Sequence, residues 1–121
     1  MNNKQEKEIN RLNFEDILWC IFIILSILNI ISNKLQKDYV ISNNKIYEHK
    51  ANNISIKVLI ILIIIYLYFF IRNYNMLKNK DKPTETDYIK VMGSLLFVIG
   101  TICLLYFQIN SDDNFIGGPA I

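Results

Sequence analysis

Length and charge narrow the class of this protein before any motif is considered. The chain of 121 residues has the size of one domain, and its net charge of +2 is too small to indicate nucleic-acid binding. Apolar residues make up 52% of the chain and are concentrated in three blocks, separated by stretches rich in Asn, Lys, Asp and Glu. This pattern predicts an all-α integral membrane protein whose three transmembrane helices pack as a small bundle.

The first apolar block, from Ile17 to Ile31, has fifteen uncharged residues and predicts a span at about 14–35. It is short against the roughly 20 residues that a transmembrane helix needs, so Lys34 is expected to extend its ammonium group to the interface. Asn13 is the expected N-cap of this helix. No small-residue cleavage site follows Ile31, and we therefore interpret the block as an uncleaved span and not as a signal peptide.

The second block is uninterrupted from Val58 to Ile71 and predicts a span at about 54–72. Aromatic residues cluster toward its C-terminal end, as they do where membrane helices reach the interface. The segment at about 36–53, between the first two spans, is predicted to be an outer loop whose second half is able to extend the second helix.

The third block is uncharged from Val91 to Phe107 and predicts a span at about 88–109, after an inner loop at about 73–87. Thr84 and Asp87 have the spacing of a capping box, with Asp in place of the usual Glu or Gln. The C-terminal tail at 110–121 is expected to be flexible. The alternative is that its apolar end folds back on the membrane surface or inserts into a partner.

Lysine and arginine residues indicate the orientation. Eight of them flank the spans on the side of the N-terminus and the predicted inner loop, against four or five on the side of the predicted outer loop. Positive residues are enriched on the cytoplasmic side of membrane proteins. We therefore expect a multi-pass protein of the cell membrane with its N-terminus in the cytoplasm and its C-terminus outside.

Small and polar residues form one stripe on the first and one on the third predicted helix. Such stripes let membrane helices approach each other closely. We expect the first helix to pack on the third through them; the alternatives are docking of another membrane protein or a second copy, and, last, a substrate path. The residues are Ser26 and Asn29 on the first helix, and Gly93, Ser94, Gly100 and Thr101 on the third.

Residues that carry chemistry are not found in a working arrangement, so no catalytic, metal or cofactor site is predicted. His49 has no second metal ligand nearby. Cys20 and Cys103 differ in depth by on the order of 15 Å, which is too far for a disulfide. Ser94 and Thr101 have no acid or base at a compatible depth, and no ionisable residue lies deep within a span. We therefore expect neither an enzyme nor a transporter, and no small-molecule substrate.

Three segments carry a resemblance to a known group of proteins. They are NFEDILWCIFIILSILNI at 13–30, YLYFFIRNY at 66–74 and the ending FIGGPAI at 115–121. In this layout the chain resembles small three-span membrane proteins of low-GC Gram-positive bacteria. The resemblance implies the three-span topology and no particular activity.

Three functions fit a small membrane protein of this kind. The first is an accessory or regulatory protein that binds a larger membrane protein, in which case the partner copurifies with it. The second is a holin-like pore or lysis protein, whose expression dissipates the membrane potential. The third is an immunity protein against a membrane-active peptide, which protects cells from that peptide. We expect the first, because the predicted helices carry stripes of small residues and no intramembrane charge.

Overall fold

The structure is a computed structural model that describes residues 2–110, so Met1 and the predicted tail from residue 111 onward lie outside the described residues. The described part forms three α-helices without a strand: α1 is Asn3–Ser42, α2 is Lys45–Lys78 and α3 is Glu85–Asn110. Each helix is long and apolar enough to cross a bilayer. The predicted fold, an all-α membrane protein of three helices, is confirmed.

Helix α1 begins well before the predicted N-cap. The Gln5 backbone N–H donates to Asn2 Oδ1 at 2.8 Å, and the Asn2 N–H donates to Gln5 Oε1 at 3.2 Å. This reciprocal capping box satisfies two donors that a helix start leaves unpaired. Asn13 lies inside the helix, so its expected role as N-cap is wrong. The residues before the apolar block are rich in Lys and Glu, which are good helix formers in water.

Most of the segment predicted as an outer loop, 36–53, is helical, and only Asn43 and Asn44 separate α1 from α2. Asn43 is left-handed, with φ of 55°, and donates its N–H to Tyr39 O at 2.7 Å. Asn44 accepts the Ile46 N–H on its side chain at 3.1 Å and so begins α2. The expected extension of the second helix into the second half of this segment is confirmed, because α2 begins at Lys45. The first half is not a loop, because polar helix formers continue α1 to Ser42. At 40 residues, α1 is about 60 Å long, against about 30 Å of hydrocarbon.

The predicted inner loop, 73–87, is also shorter in the structure. Helix α2 continues to Lys78 and α3 begins at Glu85, which leaves only residues 79–84 between them. The Thr84 N–H donates to Asp87 Oδ2 at 2.8 Å, and Lys80 Nζ lies 3.0 Å from the same carboxylate. The predicted Thr84–Asp87 cap therefore forms through the aspartate side chain. A short connection of this kind makes α2 and α3 an antiparallel hairpin.

Helix α2 lies between α1 and α3. Within residues 2–110, no Cα atom of α1 comes within 8 Å of one in α3. The expected packing of the first helix on the third is therefore wrong. The buried residues of α1 are Glu15 and, three and then seven positions apart, Leu18, Leu25 and Ser32, which places them on one stripe that faces α2. The hydrophobic core consists of Leu18 and Leu25 from α1, and Val58, Leu59, Leu62 and Ile65 from α2.

Candidate functional site

Glu15 is the centre of a buried ionic cluster near the end of the bundle where α1 and α3 begin, which we call the N-terminal end. Glu15 is only 6% exposed. Its Oε1 accepts from Arg72 at 2.6 Å, and its Oε2 accepts from Arg11 at 3.1 Å and from the Tyr68 hydroxyl at 3.2 Å. These contacts join α1 to α2 by charge-assisted hydrogen bonds, the stronger kind in proteins.

The same network continues from α2 to α3. The Arg72 guanidinium donates twice to Asn73 Oδ1, at 3.2 Å and 2.9 Å, and lies 5.1 Å from the centre of the Phe69 ring. The Asn73 amide then donates to Ser94 Oγ, which itself donates to the Lys90 carbonyl at 3.0 Å. A continuous chain of polar side chains therefore crosses all three helices at one level.

This cluster has the chemistry of a clamp that holds helices together. Both Glu15 oxygens are engaged by donors, two of them guanidinium groups. Arginine does not lose its proton in proteins, so both guanidinium groups remain positively charged partners of the carboxylate. Its fixed fork geometry suits a planar carboxylate, which makes Arg72 and Glu15 a specific pair. The arrangement sets the register of α1 against α2.

A second polar contact joins α1 and α2 nearer to the hairpin end, where Asn43 and Asn44 connect them. The Ser32 hydroxyl donates to the Ala51 carbonyl at 3.2 Å and lies 3.2 Å from the Ser55 hydroxyl. All three residues have no exposed surface. Small residues allow such close approach of two backbones, and hydroxyl groups then bond across the interface.

Because no Cα atom of α1 lies within 8 Å of one in α3, a groove is open between these helices over α2. Its volume is about 330 Å³, and Asn73 and Ser94 line it together with five aromatic residues. We call it the aromatic groove. The aromatic residues are Trp19 and Phe22 from α1, Tyr66 and Phe69 from α2, and Phe97 from α3.

A second open groove of about 630 Å³ follows the stripe of α3 that contains Gly93 and Gly100, with Leu96 and Leu104 beside them. We call it the glycine groove. A Cβ atom built on either glycine meets no atom within 4 Å. The two glycines therefore border open space and do not pack against α1 or α2.

The stripe predicted on α3 divides between these two environments. Thr101 is buried against α2 and donates to the Phe97 carbonyl at 2.7 Å. Ser94 accepts from Asn73, as described above. Gly93 and Gly100 lie in the glycine groove instead. The structure thus brings Ser94 and Thr101 to the α2–α3 interface and leaves the glycines without a helical neighbour in the described chain.

The stripe predicted on α1 makes no side-chain hydrogen bond to another helix of residues 2–110. Ser26 is exposed and donates to the Phe22 carbonyl of its own helix at 3.0 Å. Asn29 is half-buried, and its Oδ1 receives no hydrogen bond from residues 2–110. The face that packs on α2 contains Leu25 and Ser32 instead.

Sequence reasoning missed the ionic cluster, although the composition contained a signal. The chain has eleven lysines and only two arginines, Arg11 and Arg72, and both arginines bind Glu15. Arg11 and Glu15 also have the i, i+4 spacing of a helical ion pair. Cys20 and Cys103, by contrast, are free thiols on the outer surface of their helices. Within residues 2–110, no group of three His, Cys, Asp or Glu side chains is placed to bind a metal ion.

Comparison with known proteins identified no relative of this chain. No family model matches the chain, and neither a curated protein nor a solved structure matches it.

Proposed function

We propose that this chain is a small, non-enzymatic accessory or regulatory protein that binds another membrane protein through α3. One observation carries the proposal. Helix α3 packs on α2 alone among the described helices, and its glycine stripe borders an open groove of about 630 Å³. A membrane helix from a partner fits such a groove, because glycine lets two backbones approach closely.

The remaining surface of α3 supports this assignment. Its exposed side chains on the other side of the helix are large and apolar, such as Ile99 and Ile102. Such residues suit contact with lipid chains, whereas two glycines provide no side-chain contact with lipid. The difference between the two sides of one helix marks the glycine groove as the side for protein contact.

The clamp supports the same proposal from the other side of the bundle. Glu15, Arg72 and Asn73 hold α1, α2 and α3 at fixed positions. A rigid bundle presents the glycine groove in one defined shape, and binding then requires little ordering of the free protein.

We further propose that the protein lies in the cell membrane of a bacterium with the N-terminal end of the bundle in the cytoplasm. The distribution of Lys and Arg supports this orientation, since eight of them lie on that side of the spans. The chain then crosses the membrane three times and its C-terminus is outside.

Affinity purification in mild detergent, followed by mass spectrometry, tests the proposed partner. The informative variants are Gly93→Leu and Gly100→Leu, because an added Cβ at either position meets no atom within 4 Å. Cys20→Leu is the matched control, because it adds a similar side chain at an exposed position on α1. We expect a partner with the wild type and the control, and at least about a tenfold loss with either glycine variant, as for a hot-spot residue.

Two outcomes contradict the proposal. Recovery of the wild-type chain alone in several mild detergents would show that it has no stable protein partner. Equal recovery of the partner with Gly100→Leu and Cys20→Leu would show that the partner binds elsewhere. Circular dichroism establishes that all variants keep their helices, which is expected because leucine is a better helix former than glycine.

A further inference from the structure

At the N-terminal end of the bundle, the aromatic groove adjoins a polar cavity of about 500 Å³. Asn73 lines both spaces, so they adjoin at this residue. The apolar part lies between rings and the polar part lies between charged side chains. The charged residues of the polar cavity are Lys4, Glu8, Lys80, Asp87 and Lys90.

The charges in the polar cavity do not cancel. Glu8 is paired with Arg11 at 2.7 Å, and Asp87 is paired with Lys80 at 3.0 Å. Lys4 and Lys90 form no ion pair with any carboxylate of residues 2–110. They come from α1 and α3, on the two sides of the cavity. The cavity therefore contains two ammonium groups that are available to an anion.

The two adjoining spaces extend over about the depth of one leaflet. From Tyr66 in the aromatic groove to Leu77 in the polar cavity, the axis of α2 rises about 17 Å. One leaflet with its headgroups is about 20 Å thick.

We propose that the aromatic groove and the polar cavity together bind one phospholipid with an anionic headgroup. The phosphate lies between Lys4 and Lys90, and an acyl chain lies along Trp19, Phe22 and Phe97. Basic pockets between membrane helices recognise anionic headgroups in this way, and aromatic side chains favour the same depth of the membrane. This site borders the glycine groove at Tyr66 and Phe97, which line both spaces, whereas Trp19, Lys4 and Lys90 do not line the glycine groove.

Fluorescence of Trp19 tests the proposal directly, because Trp19 is the only tryptophan of the chain and lines the aromatic groove. The full-length protein is reconstituted in phosphatidylcholine vesicles that contain a small fraction of lipid with brominated acyl chains. Bromine quenches tryptophan on contact. We expect stronger quenching by brominated phosphatidylglycerol than by brominated phosphatidylcholine at the same fraction.

The double variant Lys4→Gln/Lys90→Gln removes the proposed headgroup contacts. One lysine near an anionic lipid surface contributes a factor of about five, so the preference falls roughly 20-fold when both are removed. The matched control is Lys34→Gln/Lys37→Gln, which removes two exposed lysines near the hairpin end. We expect this control to keep the wild-type preference.

Three results would overturn the proposal. The first is equal quenching of the wild-type protein by the two brominated lipids. The second is an unchanged preference in Lys4→Gln/Lys90→Gln. The third is an equal loss in both double variants, which would indicate general attraction to the surface and no site. Loss of a protein partner in the glycine variants has no bearing on these readouts, so the two proposals fail separately.

Discussion

Replacement of the buried Glu15 by glutamine is expected to destabilise the bundle more than replacement of an exposed carboxylate by its amide. The variant keeps the shape of the side chain and removes its charge. Arg72 then loses its only carboxylate among residues 2–110, whereas Arg11 keeps Glu8 at 2.7 Å. The consequence is a guanidinium group at the α1–α2 interface without a counter-charge.

The magnitude follows from burial. Breaking a fully buried ion pair costs about 3–5 kcal/mol. The side chains of Glu15 and Arg72 are 8% and 19% exposed, so partial hydration of the arginine reduces the cost. We expect Glu15→Gln to lower the free energy of unfolding by about 2–3 kcal/mol. The double variant Glu15→Gln/Arg72→Gln is expected to lose about 1–2 kcal/mol less than the sum of the single variants.

Titration with sodium dodecyl sulfate in mixed micelles, followed by Trp19 fluorescence, measures these differences. Asp16→Asn is the matched control, because Asp16 is the exposed neighbour of Glu15 and surface changes stay within about 0.5 kcal/mol. Equal effects of Glu15→Gln and Asp16→Asn would refute the reasoning. Strict additivity of the Glu15 and Arg72 variants would refute it as well, because the two side chains would then not interact.

Two further predictions concern other parts of the bundle. Ser55→Leu is expected to cost about 2 kcal/mol in the same titration, because the fully buried Ser55 faces Ser32 across the α1–α2 interface. Ser26→Leu, on the exposed side of α1, is expected to change little, and an equal cost would contradict the close packing at Ser55. The pKa of Asp87 is lowered to about 2 because its carboxylate accepts the Thr84 N–H and contacts a lysine ammonium. Its contribution to stability is therefore complete above its ordinary pKa of about 3.8 and is lost as the pH falls through about 2. Carboxyl-carbon NMR measures the titration midpoint of Asp87. A midpoint near 3.8 would contradict the cap.

The three membrane helices were predictable because long uncharged blocks have few alternatives to a spanning helix. The helix ends were not. No glycine or proline occurs between Ser32 and Asn53, so the sequence there contains no strong breaker. Both helices therefore continue through residues whose polarity alone suggested a loop. A pair of asparagines ends one helix and begins the next, and such short side-chain caps are weak signals in an Asn-rich chain.

The clamp was not predictable from hydropathy, because its partners are 57 residues apart. Their meeting depends on the register of α1 against α2, which the turn sets. Glu15 lies 28 residues before Asn43, and Arg72 lies 28 residues after Asn44. Once the turn is located, an antiparallel hairpin places these two residues opposite each other. Ser94 and Thr101 were found more easily, because polar side chains within an apolar block mark a contact face on the same helix.

The central position of α2 has a consequence for how the protein is made. The helices pack in the order in which they occur in the chain, with α1 on α2 and α2 on α3. During synthesis, α2 and then α3 therefore each find their neighbour already in the bilayer. Glu15 has its partner Arg11 on the same helix before Arg72 is made, and α3 then packs on α2 without displacing an earlier contact. Membrane insertion and folding can proceed as one process from the N-terminus to the C-terminus.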